Sequence, residues 1–386
     1  MRVLHIDAGN LYGGVQTLLF TLARYRHLCP DMTPEFALCF DGRVERELIN
    51  QGVPFHNLGP VRIRYPFSVW RARRCLQEIL ASGRFDVVVC HNIWPQVVFG
   101  PTVRRAGTPL VFWAHNMVDG RYWLERWARR TEPELILCNS RFTEDTLITL
   151  YPGVSTEVLY PPVAPPSPVE LGAREAVRCE LHTAPEAVVI VQVSRLEEWK
   201  GHRTLLSGLG LLRDVPDWTC WIVGGVQRTH EVPYLESLKT LAADLKISDR
   251  IRFVGQRSDV PRLLAAADVF CQPNSGPEPF GIVFVEALYA GLPVIATAIG
   301  AAQEVIDGSC GRLVSSADAG ALRDSLAEVI DCTPMRQRLG SRGPARARAL
   351  CDPEQQLLRM QTVLSSFGGL TRRARGRTGV RALITG

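Results

Sequence analysis

The sequence contains no run of about 18 apolar residues, so nothing in it is built to cross a bilayer as a helix. It also has no Cys-x-x-Cys pair. Its eleven cysteines are odd in number and irregularly spaced, which argues against a disulfide framework. Cys39, Cys90, Cys138, Cys220 and Cys271 sit inside apolar runs, where a thiol packs as a small hydrophobe. With no leader ahead of the first strand-like run, Arg2 to Ile6, a cytoplasmic location is expected. Acid is missing from the last eighteen residues, which hold Arg372, Arg373, Arg375, Arg377 and Arg381. These five arginines equal the whole net charge of +5, so the body of the chain is formally neutral. It lacks the basic field that dominates nucleic-acid binding, and no nucleic-acid partner is expected. Finally, neither half opens with a G-x-G-x-x-G turn, which disfavours a dinucleotide dehydrogenase.

What is present is an ordinary globular composition, 46% apolar and 22% charged, over 386 residues. That length predicts two domains of roughly 150–200 residues each. A mean hydropathy of +0.02 fits strands buried on both faces of parallel sheets. Strand-like runs in the first half are Val3–Ile6, Phe36–Phe40, Val87–Cys90, Leu110–Trp113 and Leu135–Cys138. Helical periods fall at Val15–His27, Val69–Ala81 and Thr143–Leu150. The second half repeats the pattern, with strands at Val188–Val193, Cys220–Val223, Ile251–Val254, Val269–Gln272 and Pro293–Ala296. Its helices are expected at His202–Leu211, Tyr234–Leu245, Val260–Ala266 and Asp318–Ile330. Such alternation predicts an α/β protein with two parallel sheets built from right-handed crossovers.

Five of the eight residues over 161–168 are proline, which reads as a semi-rigid linker. The expected organisation is an N-terminal domain over 1–160, this linker, and a C-terminal domain over 169–352. A helix over 353–367, able to pack on the N-terminal domain, and a basic, solvated tail over 368–386 complete it.

Two constellations carry chemistry. Glu278-Pro279-Phe280-Gly281 follows the run Val269–Gln272 where the chain should enter a helix, and Glu286 lies further along that helix. Ligands of parallel sheets bind beyond the carboxyl ends of the strands. A glycine at a helix start lets backbone N–H groups approach a phosphate, and carboxylates accept hydrogen bonds from sugar hydroxyls. By spacing alone, a helix-start acid and a surface glutamate explain the pattern equally well. The second constellation is Arg195 with Lys200, on the loop after Val188–Val193. A guanidinium fork and an ammonium placed together suit a departing diphosphate. Taken by itself, this pair is more simply two solvated basic residues.

Together, Arg195, Lys200, Glu278 and Glu286 resemble the retaining glycosyltransferases of family 4, which have the GT-B fold. Asp7-Ala8-Gly9 with Gly13-Gly14, His115-Asn116, Cys138-Asn139-Ser140, Val223-Gly224-Gly225 and Phe253-Val254-Gly255 resemble further segments of that family, from Met1 to about Phe367. The resemblance implies two Rossmann-like domains facing a central cleft, with the acceptor on the first and a nucleotide-sugar donor, UDP- or GDP-linked, on the second. Arg195 and Lys200 would hold the diphosphate, Glu278 the sugar, and Gly281 and Ile282 with neighbouring Phe280 the phosphate. Glu286 would bind the ribose, while Val254 and Gly225 would line the base site. Gly13 and Gly14 would let their loop approach the donor, and His115 would sit beside the reacting sugar. No Asp-x-Asp motif occurs, and the two cations can replace a metal, so no metal and no cofactor are expected. The acceptor implied is a glycan or a lipid-linked sugar.

His91-Asn92 has a similar place after Val87–Cys90, and a structural role fits it better. Two basic, aromatic stretches, Val61–Arg74 and Arg121–Arg130, suit peripheral contact with an anionic membrane. Partly buried helices with wet arginines explain them too. A sugar-nucleotide epimerase and a catalytically idle binding protein are the other function classes open to this fold.

Overall fold

The computed structural model describes residues 1–9, 13–168, 170 and 172–366. The basic tail therefore lies outside the described residues. The chain divides into two compact units, one of Met1–Ala164 with the chain from Cys351 onward, the other of Pro165–Leu350.

The first unit holds seven strands: β1 Arg2–Asp7, β2 Thr33–Leu38, β3 Phe55–Asn57, β4 Val87–His91, β5 Leu110–Ala114, β6 Leu135–Cys138 and β7 Thr156–Val158. They form one parallel sheet in the order β3-β2-β1-β4-β5-β6-β7. β4, β5 and β6 are buried along their whole length, which is why they read as unbroken apolar runs. Alternate residues of β1 feed opposite faces: Val3 packs with Leu18, Leu22 and Met32, whereas Leu4 and Ile6 pack with Leu76 and Val98. A helix over 353–366 returns to the first of these clusters through Leu357, Met360 and Leu364. The proline-rich run begins as packed chain: residues 161–163 are buried, and the Val163 N–H donates to the Cys351 carbonyl at 2.9 Å.

One helix absent from the sequence reading, Ile93–Ala106, carries Pro101 in its interior. Proline has no N–H, so the Val97 carbonyl four residues earlier loses its usual partner. Arg73 supplies it, donating from Nη2 to Val97 O at 3.2 Å and from Nε to Val98 O at 2.6 Å. One of the arginines expected on a wet helix face is therefore turned inward as a structural donor.

The second unit holds β8 Val188–Val193, β9 Trp218–Val223, β10 Ile251–Gly255, β11 Val269–Gln272, β12 Val294–Thr297 and β13 Gly311–Val314. Its parallel order is β10-β9-β8-β11-β12-β13. The core on one face joins Ile190, Cys220, Ile222 and Ile295 to Leu205, Leu209, Leu322 and Leu326. Trp218 and Trp221 are fully buried, and their indole N–H groups reach Leu212 O and Thr183 Oγ1, each at 3.0 Å. Both units are thus Rossmann-like, as expected. In each, strand order reverses beside the central strand, between β1 and β4 and between β8 and β11. Open parallel sheets bind ligands at that reversal, beyond the strands' carboxyl ends.

Candidate functional site

In the second unit the reversal brings the two predicted constellations together. The chain leaves β8 at Ser194, passes Arg195, and makes a short 3₁₀ turn, Glu198–Lys200, before helix His202–Gly210. Gly201 joins turn to helix with φ +75°, and a Cβ there would strike the Pro273 carbonyl beyond β11. Only glycine allows that approach, and it brings Lys200 against the β11 loop. Lys200 Nζ lies 2.6 Å from Glu278 Oε2, and both residues are buried. The ammonium also lies 3.9 Å from the Trp199 ring centroid, a cation–π contact.

Glu278 is held from three sides. Its Oε2 also accepts from Asn274 Nδ2 at 2.9 Å and from Gln272 Nε2 at 3.4 Å. Gln272 bonds Asn274 Oδ1 as well, and Thr297 anchors the Asn274 carbonyl at 2.8 Å. Sequence reasoning assigned Gln272 and Asn274 no role. The signal was there, since an amide at the end of a wholly buried strand needs a partner.

The plainer reading of this pair, two solvated basic residues, holds for Arg195 but not for Lys200. Lys200 is ion-paired and buried, and Arg195 pairs with Glu197 at 2.9 Å while remaining 44% exposed.

Gly281 caps helix Ile282–Tyr289 in the left-handed region, φ +85°, and stands against Glu278: a Cβ there would lie 3.1 Å from Glu278 Cγ. The start of this helix, whose first N–H groups have no partner within the helix, thus lies close to Glu278 of the ion pair. Phe280 is buried, its side chain an apolar wall rather than a ligand group. Glu286 lies one turn further along, half-buried, and burial pushes its carboxyl up to about 7. On the other side of β8, a register shift between Phe253 and Gly255 leaves Val254 out of the ladder. Gly224 N–H bonds Gly255 O at 2.9 Å, and Gly225 sits so close to Gln256 that a Cβ would lie 2.7 Å from its nitrogen. Val254 and Gly225 are therefore brought together, at the β9 and β10 ends. His202, buried behind the Lys200 turn, contacts Ser194 Oγ at 3.1 Å and Tyr234 Oη at 3.4 Å.

In the first unit, His115 follows β5 and is 7% exposed. Its Nε2 meets His91 Nδ1 at 2.9 Å, and His91 Nε2 meets His5 Nδ1 at 3.0 Å. Gly13 precedes helix Gly14–Arg24 with φ −175°, extended backbone that any residue adopts. Left-handed backbone before this helix falls at Gly9, φ +85°, whose N–H donates to Asp7 Oδ2 at 2.9 Å. Residues 10–12 lie outside the described chain.

A helix N-terminus, a buried ammonium and two carboxylates at a topological reversal suit an anionic, hydroxyl-bearing ligand. Comparison with known proteins agrees with that class. Residues 12–165 match the model of Glycosyltransferase Family 4, and residues 174–346 that of Glycosyl transferases group 1. The chain is 31% identical to the lipopolysaccharide core biosynthesis mannosyltransferase LpsB of Rhizobium meliloti, over 78% of this chain and 80% of that protein. It is 32% identical to the GDP-mannose-dependent α-(1-6)-phosphatidylinositol monomannoside mannosyltransferase of Mycolicibacterium smegmatis, over 64% and 68%. Two further relatives are matched over only 46% and 39% of their own length. Anabaena HepE, solved with UDP and glucose, superposes with a TM-score of 0.82 at 24% identity, over 95% of this chain and all of that one. The chain belongs to glycosyltransferase family 4, and its fold is that of the GT-B members.

Proposed function

We propose that this protein transfers a glycosyl unit from a UDP- or GDP-linked donor to a glycan or lipid-linked acceptor, with retention of anomeric configuration and without a metal. The observation that carries this reading is the meeting of Lys200, Glu278 and the start of helix Ile282–Tyr289 at the strand reversal of the second unit. The donor diphosphate accepts from Lys200, Arg195 and the helix N–H groups, taking the place that Glu278 fills on Lys200. Glu278, still held by Gln272 and Asn274, then turns its acceptor capacity to the sugar hydroxyls. Charge grows on the leaving phosphate as the glycosidic bond breaks, and these fixed positive groups stabilise it. Glu286, with no side-chain partner among the described residues, accepts from the ribose. The choice of base fits relatives of both kinds: one is named GDP-mannose-dependent, and HepE was solved with UDP.

The test is turnover of a donor panel with and without sugar and lipid acceptors, with product linkage read by NMR. A new glycoside with the donor's anomeric configuration supports the reading. Inversion contradicts it. A product that stays nucleotide-linked without acceptor points to an epimerase, and loss of all turnover on adding EDTA contradicts metal independence.

We also infer peripheral contact with an anionic membrane from a cytoplasmic location. No helix among the described residues is long and apolar enough to cross a bilayer. The two basic, aromatic stretches converge on one cavity of about 580 Å³, where Trp70 and Arg74 of helix Pro66–Gly83 meet Arg105 and Trp127. Phe67 beside it is 73% exposed and stacks on Trp70 at 5.6 Å. Flotation with vesicles of phosphatidylcholine and phosphatidylglycerol should carry the protein, and Trp70→Ser with Phe67→Ser should leave it behind.

A further inference from the structure

The loop that carries both cations is pinned at Trp199. The Trp199 carbonyl accepts from the Ser275 and Gly276 N–H groups at 2.9 and 3.3 Å, and a Cβ at Gly276 would lie 3.2 Å from Trp199 Cβ. Beside it, the Lys200 N–H donates to Glu197 O at 2.9 Å, and Gln192 Nε2 donates to Lys200 O at 2.7 Å. The half-buried indole therefore leaves a fixed backbone, seated against the loop after β11.

Trp199 reaches both cations, by different parts of its ring. Its face takes the Lys200 ammonium, 3.9 Å from the ring centroid. Its N–H donates to Glu197 Oε2 at 2.9 Å, and Glu197 Oε1 lies 2.9 Å from Arg195 Nη1. The two oxygens of Glu197 are thus divided, one to each partner. A guanidinium has five N–H donors, so a bond through Nη1 orients Arg195 without using it up. Long side chains lose rotamer freedom when they grip a ligand, and holding them beforehand lowers that cost. The run Arg195–Glu197–Trp199–Lys200 also leaves the Lys200–Glu278 pair outside it. An anion that replaces Glu278 on Lys200 leaves the ring contact in place.

We propose that Trp199 is a positioning residue for the donor diphosphate, its ring face holding Lys200 and its N–H holding Arg195 through Glu197. The identity of the anion rests on the nucleotide-sugar reading above. The linkage rests on the geometry of the second unit alone.

Two measurements on the full chain test it. The first needs no ligand. In ¹H–¹⁵N spectra with ¹⁵N-tryptophan, Trp199→Phe identifies its own indole signal among those of the eight tryptophans, and Glu197→Gln should shift that signal. No shift would overturn the linkage. The second is calorimetric titration with UMP and UDP, and with GMP and GDP, where the ratio of the two dissociation constants isolates the added phosphate. Trp199→Phe keeps the ring and loses the N–H, and should shrink that ratio about fivefold. Trp199→Leu loses the ring as well and should shrink it about fivefold more. Monophosphate affinity should stay unchanged in both. A carboxamide offers one oxygen where Glu197 offers two, so Glu197→Gln already cuts the link, and adding Trp199→Phe should cost nothing further. Equal losses for mono- and diphosphate, the mark of a merely structural role, or additive losses in the double variant, would overturn the proposal. A wild type that binds neither diphosphate, while its indole signal still answers to Glu197→Gln, would contradict the nucleotide-sugar reading and leave the linkage standing.

Discussion

Lys200 Nζ lies 2.6 Å from Glu278 Oε2, joining loops that follow two neighbouring strands of one sheet, and only 10% and 11% of the two side chains is exposed. Breaking such a pair from one side strands a buried charge, which costs roughly 3–5 kcal/mol. Lys200→Ala and Glu278→Ala should each lower stability by that order in urea denaturation. The double variant Lys200→Met with Glu278→Leu should recover most of the loss. All three should lack transfer activity. Single variants within ~1 kcal/mol of wild type would show that the pair is open to water.

Glu286 gives a pH signature. Its folded carboxyl titrates at about 7, above the ordinary 4.5, because burial disfavours its charge. Between those values the folded state holds more protons than the unfolded chain, so this residue's contribution to stability falls as pH rises and levels off above 7. The full difference is at most about 3 kcal/mol. Wild type compared with Glu286→Gln should show it as a gap in urea midpoint that changes across pH 5–7. Donor affinity should move oppositely, since the carboxylate is the better acceptor for ribose hydroxyls. It should rise up to about tenfold per pH unit below 7 and flatten above it. In Glu286→Gln it should be flat throughout.

Gly201 is the hinge of the Lys200 turn, with φ +75° and the Pro273 carbonyl where a side chain would begin. Gly201→Ala must move the turn away from β11. It should weaken donor binding along with thermal stability, whereas Gly52→Ala, also at positive φ (+59°) but with open space around it, should change stability alone. Calorimetric titration of the donor nucleotide separates the two outcomes.

Arg73 completes the helix that Pro101 interrupts, through Val97 O and Val98 O. Arg73→Ala should cost about 1–3 kcal/mol, the desolvation cost of a buried unpaired carbonyl. Pro101→Ala restores the N–H that Val97 O lacks and should reduce that cost in the double variant. A double-mutant cycle in urea measures the coupling.

Strands buried on both faces were legible because sheet and sequence share one signal. Leu135–Cys138, Val188–Val193 and Val269–Gln272 read as apolar runs and are strands over those same residues. The edge strands Phe55–Asn57 and Thr156–Val158 are three residues long and partly exposed, too short to show a period. Helix Ile93–Ala106 was hidden by Pro95 and Pro101, and its rescue by Arg73 depends on a contact across more than twenty residues. The same limit applies at the candidate site. Glu278 and Lys200 stood out by their places after strands, but their pairing across 78 residues, and the chain from His5 to His115, follow from sheet order rather than from spacing.

The most direct test of the account is thermal stabilisation by UDP, GDP, ADP and their sugar conjugates, comparing wild type with Glu286→Ala. A ligand at 100 times its dissociation constant should add about 2.7 kcal/mol to stability. The account predicts a clear shift with either the uridine or the guanosine series, lost in the variant, which would identify the base and tie it to the second unit. No shift with any nucleotide, or a shift that Glu286→Ala leaves intact, would contradict it.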